Sequence, residues 1–187
     1  MNTKAIIFDI TGVIFPIQPW IGERPPREEL LKIKKVASDI YDKEKMSKEY
    51  LKEKIFQADR PHNELEAIYK SLTIIDENIF DLIKKLSEKY FLYSIANEAE
   101  KWTDIRKDLF GFEKYFKKLY ISCEVGMRKP DEGIFKLLLN ETGLSPEECL
   151  FIDDKDKNIQ AAEKLGFQVF LYKDFDSLKN YLIKKNI

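Results

Sequence analysis

From residue 76 onward, helical and extended periodicities alternate without a break, and that alternation constrains the fold more than any other feature of the chain. Apolar residues at helical spacing over 77–88 lead into the extended apolar segment Tyr90-Phe91-Leu92-Tyr93-Ser94-Ile95-Ala96. The pairing repeats as helix 98–109 with strand 118–123, helix 131–142 with strand 149–152, and helix 156–165 with strand 168–172. A helix over 176–185 closes the series. Pro130 precedes the third of these helices and Gly143 caps its end, while Ser145-Pro146-Glu147-Glu148 reads as a short turn. Strands separated by helices pair in parallel and are covered on both faces. The expected fold is therefore α/β, a three-layer doubly wound parallel sheet.

One further strand stands apart. Ile6-Ile7-Phe8-Asp9-Ile10-Thr11-Gly12-Val13-Ile14-Phe15 is an apolar run with a single carboxylate, and Gly12 marks a sharp turn after it. Between this strand and the alternating region, only helical spacing is found. Leu30, Ile33, Val36 and Ile40 fall on one helix over 26–42 behind Pro25-Pro26, and Tyr50, Leu51 and Ile55 on another over 47–58 behind Ser47. A third helix is expected at 63–72. The expected organisation is a core of residues 1–15 and 76–187 with an all-helical cap of residues 16–75 inserted into it, over the carboxyl edge of the sheet. A chain of 187 residues suits one core plus such an insertion.

Composition removes several function classes. Lys plus Arg, 32, nearly cancels Asp plus Glu, 33, so no global field recruits nucleic acid or an anionic membrane. Lysine-rich stretches such as Lys32-Ile33-Lys34-Lys35 and Lys184-Lys185 read as solvated helix faces. No apolar run approaches the roughly 20 residues that span a bilayer, and the N-terminal apolar segment reads as a strand rather than a signal peptide. Cys123 and Cys149 sit in or beside strand-like segments as buried structural thiols, which suits a reducing cytoplasm. The single histidine, His62, does not supply a multi-histidine zinc site, and no G-x-S-x-G elbow accompanies it.

Four segments converge at the carboxyl edge of the expected sheet, where open α/β folds bind ligands. Asp9 ends the first strand and Ala96-Asn97-Glu98 the second. Gly126-Met127-Arg128-Lys129-Pro130-Asp131 forms a loop before a helix, and Asp153-Asp154-Lys155-Asp156-Lys157-Asn158 follows the Phe151-Ile152 strand. Asp9, Asp153 and Asp154 would repel one another without a cation, and hard oxygen ligands suit Mg²⁺. With Mg²⁺ and Lys129 neutralising phosphate oxygens, Asp9 is placed to attack phosphorus in line. A carboxylate nucleophile splits hydrolysis into two easier steps through an aspartyl-phosphate. Read singly, Lys129 is also compatible with a solvated loop lysine and Asp153-Asp154 with a helix cap.

These motifs resemble the haloacid dehalogenase superfamily, in the branch whose small helical cap lies between the first and second core motifs. Ile7-Phe8-Asp9-Ile10-Thr11-Gly12-Val13 is similar to the first motif and Asn97 to the end of the second. Arg128-Lys129-Pro130-Asp131 with Ile134-Phe135 resembles the third, and Phe151-Ile152-Asp153-Asp154 with Asn158 the fourth. The run Ala161-Ala162-Glu163-Lys164-Leu165-Gly166-Phe167 follows the same habit. The resemblance implies a Rossmann-like core, Asp9 as nucleophile and Lys129 steadying the phosphate. It places Mg²⁺ on Asp9, Asp153, Asp154 and the Thr11 carbonyl, and the phosphate beside Gly12 and Asn97. Trp20, Arg24 and Arg60 of the cap are candidates for contacting a sugar or acid group, whereas Tyr41, Tyr50, Phe56 and Tyr69 read as packing residues. The partner so implied is a small phosphorylated metabolite; oligomeric state is not legible.

Two departures from the family pattern bear on activity. Thr11 stands where phosphatases of the family carry the acid/base Asp, help commonly worth 10²–10⁴ in rate. Ala96 replaces a phosphate-binding hydroxyl, leaving the Asn97 backbone N–H as donor. Ser94 lies on the same strand face but about 6–7 Å deeper, out of reach. The leading expectation is a Mg²⁺-dependent phosphomonoester hydrolase, slowed by Thr11, in which Thr11→Asp accelerates phosphate release. The alternatives are a catalytically degenerate module that binds a phosphorylated ligand and, third, a dehalogenase, against which the acidic pair argues.

Overall fold

The structure is a computed structural model that describes residues 3–16, 75–98 and 100–187. The expected cap helices lie outside these residues, as do Trp20, Arg24, Tyr41, Tyr50, Phe56, Arg60, His62 and Tyr69.

Five strands form one sheet: β1 (Ala5–Phe8), β2 (Phe91–Ala96), β3 (Lys118–Ile121), β4 (Cys149–Asp153) and β5 (Gln168–Leu171). Their order is β3-β2-β1-β4-β5, and every pairing is parallel. The α-helices that follow them are α1 (Glu77–Ser87), α2 (Glu100–Phe110), α3 (Ser122–Val125), α4 (Glu132–Thr142), α5 (Asp156–Lys164) and α6 (Phe175–Lys184). Side chains alternate across a strand, so β1 feeds two cores. Ile6 and Phe8 join Ile79, Ile83 and Leu86 of α1 and Leu178 and Leu182 of α6 on one face. Ala5 and Ile7 join Ile134, Phe135 and Leu138 of α4 and Ile159 and Ala162 of α5 on the other. That double burial explains why the strands read as continuous apolar runs rather than alternating ones.

The caps follow the sequence signals. Asp76 caps α1 by accepting hydrogen bonds from the N–H groups of Asn78 and Ile79 at 3.0 and 3.3 Å. Gly143 closes α4 in the left-handed conformation. Two boundaries are corrected. The strand expected over 118–123 stops at Ile121, because its neighbour β2 ends at Ala96, the partner of Ile121, and nothing remains to pair with. Ser122 and Cys123 turn instead into the short α3, and Cys123 is half-buried there. The helix expected from residue 98 begins at Glu100, so Glu98 lies in the connection after β2.

The chain runs outward from β1 through β2 to β3, then returns to the other side of β1 for β4 and β5. The connections after β1 and β4 therefore diverge, which opens a crevice at their carboxyl ends. Asp9 lies at that point, its N–H bonded to the Ile152 carbonyl at 2.9 Å. The ends of the segment between β1 and α1 also meet here: Asp76 N–H reaches the Ile14 carbonyl at 3.3 Å.

Candidate functional site

Asp9, Lys129 and Asp153 form one buried ionic cluster in the crevice. The Lys129 ammonium is 1% exposed and lies 2.8 Å from Asp9 Oδ1 and 2.6 Å from Asp153 Oδ2. It also sits 5.5 Å from the centroid of the Phe151 ring. Burial of a cation this deep is tolerated only with such partners. Burial pulls the ammonium pKa down, yet Asp9 and Asp153 outweigh it and the net shift is upward. Asp9 moves the other way from an ordinary carboxylate: burial, with Asp153 adding to it, overcomes the pull of Lys129 and pushes it up to about 7.

The two acids differ in how far they are committed. Asp153 accepts from Lys129 Nζ, from Asn158 Nδ2 at 3.0 Å to each oxygen, and from the Lys155 N–H at 2.8 Å. Asp9 Oδ1 accepts from Lys129 and from the Ile10 N–H at 2.8 Å, while no hydrogen bond reaches Oδ2 from the described residues. Asp154, at the rim, has the Lys155 ammonium, at 3.4 Å, as its one ion-pair partner among the described residues. One carboxylate oxygen from each of Asp9, Asp153 and Asp154 falls within 4.8 Å of the others, a set able to hold a metal ion. The turn after Asp9 is tied by Gly12 N–H to the Phe15 carbonyl and by Ile14 and Phe15 N–H to the Ile10 carbonyl. None of these bonds consumes the Thr11 carbonyl. The donor set is thus all oxygen, as a hard divalent cation requires.

Gly12 has two reasons to be glycine. Its φ is +99°, and a Cβ there would stand 2.6 Å from the Asp154 carboxyl carbon. Gly12 is therefore packed against the acid at the rim, a contact the sequence did not disclose.

Asn97 makes side-chain contacts that the expected backbone N–H contact did not disclose. Its side chain makes a reciprocal pair with Lys129: Nδ2 donates to the Lys129 carbonyl at 2.7 Å, and the Lys129 N–H donates to Oδ1 at 2.8 Å. The amide thereby fixes the loop carrying the ammonium. Ala96 is buried beside it, and Ser94 is wholly buried with no partner for Oγ among the described residues.

Thr11 is embedded in a network that sequence reasoning missed. Its hydroxyl donates to Glu98 Oε1, and Arg106 Nη1 donates to the Thr11 oxygen at 2.8 Å. Arg106 also pairs with Glu98 Oε1, Thr103 Oγ1 donates to Glu98 Oε2 at 3.1 Å, and Ser122 Oγ accepts from the Glu98 N–H at 3.0 Å. Glu98 is 3% exposed and Arg106 is 6%. The guanidinium lies 4.7 Å from the centroid of the Phe15 ring. The one signal available beforehand was an acid closing the second strand in a chain lacking the acid at position 11.

Several known proteins resemble this chain in sequence and fold. A D-ribitol-5-phosphate phosphatase of Bacteroides thetaiotaomicron is 29% identical over 102 residues, covering 51% of this chain and 50% of that protein. The chain thus spans about half the length of that relative. A sesquiterpene phosphatase of Aspergillus oryzae is 26% identical over 172 residues, 87% of this chain and 86% of that one. A solved family enzyme from B. thetaiotaomicron superposes with a TM-score of 0.78 at 25% identity, over 96% of this chain and 99% of its own. The same enzyme in complex with magnesium and inorganic phosphate gives a TM-score of 0.70 at 25% identity, over 95% and 99%. The sequence model of haloacid dehalogenase-like hydrolases matches residues 3–166, and the chain belongs to that family of hydrolases.

Proposed function

We propose that the chain is a Mg²⁺-dependent phosphomonoester hydrolase of a small phosphorylated metabolite, working through an aspartyl-phosphate on Asp9. The observation that carries this is the Lys129 ammonium shared between Asp9 and Asp153 at the crevice, with Asp154 alongside. Two phosphatases among the relatives and a neighbour holding magnesium and phosphate support the same chemistry.

Asp9 Oδ2 is the nucleophile in this scheme, free of hydrogen bonds from the described residues and backed by Oδ1 held on Lys129 and the Ile10 N–H. Asp9, Asp154 and the Thr11 carbonyl would hold Mg²⁺, with Asp153 in the same set but serving mainly to seat Lys129 and Asn158. When bound, the cation would neutralise phosphate charge and keep Asp9 ionised at neutral pH. Lys129 then turns part of its charge toward a phosphate oxygen, and the backbone beside Gly12 and the Asn97 N–H offer further contacts. Residues 16–75, including Trp20 and Arg24, would form the cap that selects substrate and excludes water.

The test is phosphate release from a panel of sugar phosphates, nucleotides and phospho-acids with Mg²⁺, using Asp9→Asn as blank. Release that depends on Asp9 upholds the reading, and the best substrate names the class. No release above the blank from any compound overturns it in favour of a binding module, with dehalogenation the next activity to assay.

A further inference from the structure

We infer that Glu98 is a positioning residue for the second half of the reaction, setting the Thr11 hydroxyl as the hydrogen-bond acceptor that orients the attacking water. The inference rests on the aspartyl-phosphate reading above. A hydroxyl carries one proton and two lone pairs. The Thr11 proton is given to Glu98, and one lone pair is taken by Arg106. Among the described residues nothing takes the other lone pair, on a side chain two residues from Asp9 and only partly buried. Held this way, Thr11 has no proton to offer a leaving group, but its oxygen accepts a hydrogen bond from a water.

The holder is rigid. Glu98 is fixed at both carboxylate oxygens and at its N–H, by Thr11, Arg106, Thr103 and Ser122. Arg106 is in turn seated on Phe15, which packs against Phe110 and Phe112 with centroids 5.4 and 5.2 Å away. Such preorganisation removes the reorientation cost that a free hydroxyl would meet at the moment of attack. In the step concerned, the water oxygen bonds to phosphorus as the bond between phosphorus and the Asp9 oxygen breaks. The electron pair returns to the Asp9 carboxylate and the water proton passes to a phosphate oxygen, releasing dihydrogen phosphate. Formation of the aspartyl-phosphate does not use this water, so the two halves of the reaction should respond differently to Glu98.

The experiment uses p-nitrophenyl phosphate with Mg²⁺, steady-state rates, and intact-mass spectrometry after acid quench to read the fraction of chain carrying a phosphoryl group. Glu98→Gln is expected to lower kcat about tenfold, the worth of one positioned hydrogen bond. It should leave kcat/KM unchanged, lower KM in proportion, and raise the phosphorylated fraction. Thr11→Val should reproduce this, and the double variant should be no worse than either single one. Equal losses in kcat and kcat/KM without phosphoenzyme accumulation would reduce Glu98 to a structural role and overturn the inference. If Glu98→Gln does not fold, Thr11→Val against Thr11→Ser decides the matter, since only the former loses the acceptor. Absence of phosphoryl transfer to Asp9 in the unmodified protein would overturn the phosphatase reading itself, a separately readable failure.

Discussion

Lys129→Met tests the ionic cluster most directly. Methionine keeps the length and apolar body of the lysine but removes the charge that lies 2.8 Å from Asp9 and 2.6 Å from Asp153. Removing one partner of a buried pair costs about 3–5 kcal/mol, which in a chain of this size lowers Tm by roughly 6–20 °C. The cost should depend on pH, with a sign fixed by Asp9. Its folded pKa is already raised, to about 7, and Lys129 is what holds it from going higher. Without the cation, folded Asp9 keeps its proton above pH 7, whereas the unfolded carboxyl has lost it at about pH 4. The folded state binds the extra proton, so stability falls as pH rises. The variant's stability falls by at most about 1.4 kcal/mol per unit, ~2.7 kcal/mol between pH 6 and pH 8, whereas the unmodified protein, with Asp9 at about 7, falls by about half of that, so the cost of the substitution grows by ~1.4 kcal/mol. Mg²⁺ at a hundredfold excess over its dissociation constant should restore ~2.7 kcal/mol. Urea unfolding at both pH values, with and without Mg²⁺, measures each of these at constant m. A loss below about 1 kcal/mol, or the same loss at both pH values, would refute the argument that Lys129 neutralises a buried acidic pair.

Three further outcomes are expected. Adding Mg²⁺ to the weakly buffered protein near pH 6 should release up to about one proton, since a ligand carboxylate must ionise; Asp9→Asn should abolish that release. Gly12→Ala should cost about 1–3 kcal/mol for the strained backbone and weaken Mg²⁺ binding, measured by calorimetry, because the new Cβ meets the Asp154 carboxylate. Unchanged metal affinity would separate Gly12 from the site. Thr11→Asp, which the family pattern alone predicts to be accelerating, should instead lose activity, because its carboxylate would meet that of Glu98. Pairing it with Glu98→Gln should recover activity as Arg106 takes over the new acid, and failure of the double variant to exceed Thr11→Asp would remove that coupling.

Much of the fold was legible because burial on both faces writes itself into local runs. Ile6-Ile7-Phe8, Leu150-Phe151-Ile152 and the helices between them are recognisable one segment at a time. Asp9, Lys129, Asp153 and Asp154 were equally legible, since each is a polar residue interrupting such a run or lying in a loop beside one. The lost boundary at Ile121 had another cause: the apolar pattern continues through Cys123, but strand length is set by the partner, and β2 had ended.

The sequence by itself therefore determined the alternating α/β architecture and which carboxylates stand at its edge, because both follow from local periodicity and strand ends. Only the tertiary structure decided what those residues touch. Asn97 turned out to clamp the Lys129 backbone, Gly12 to face Asp154, and Thr11 to be held by Glu98 and Arg106, 87 and 95 residues away. Contacts across such separations depend on strand order and register, which place distant loops side by side and leave no trace in the spacing of either.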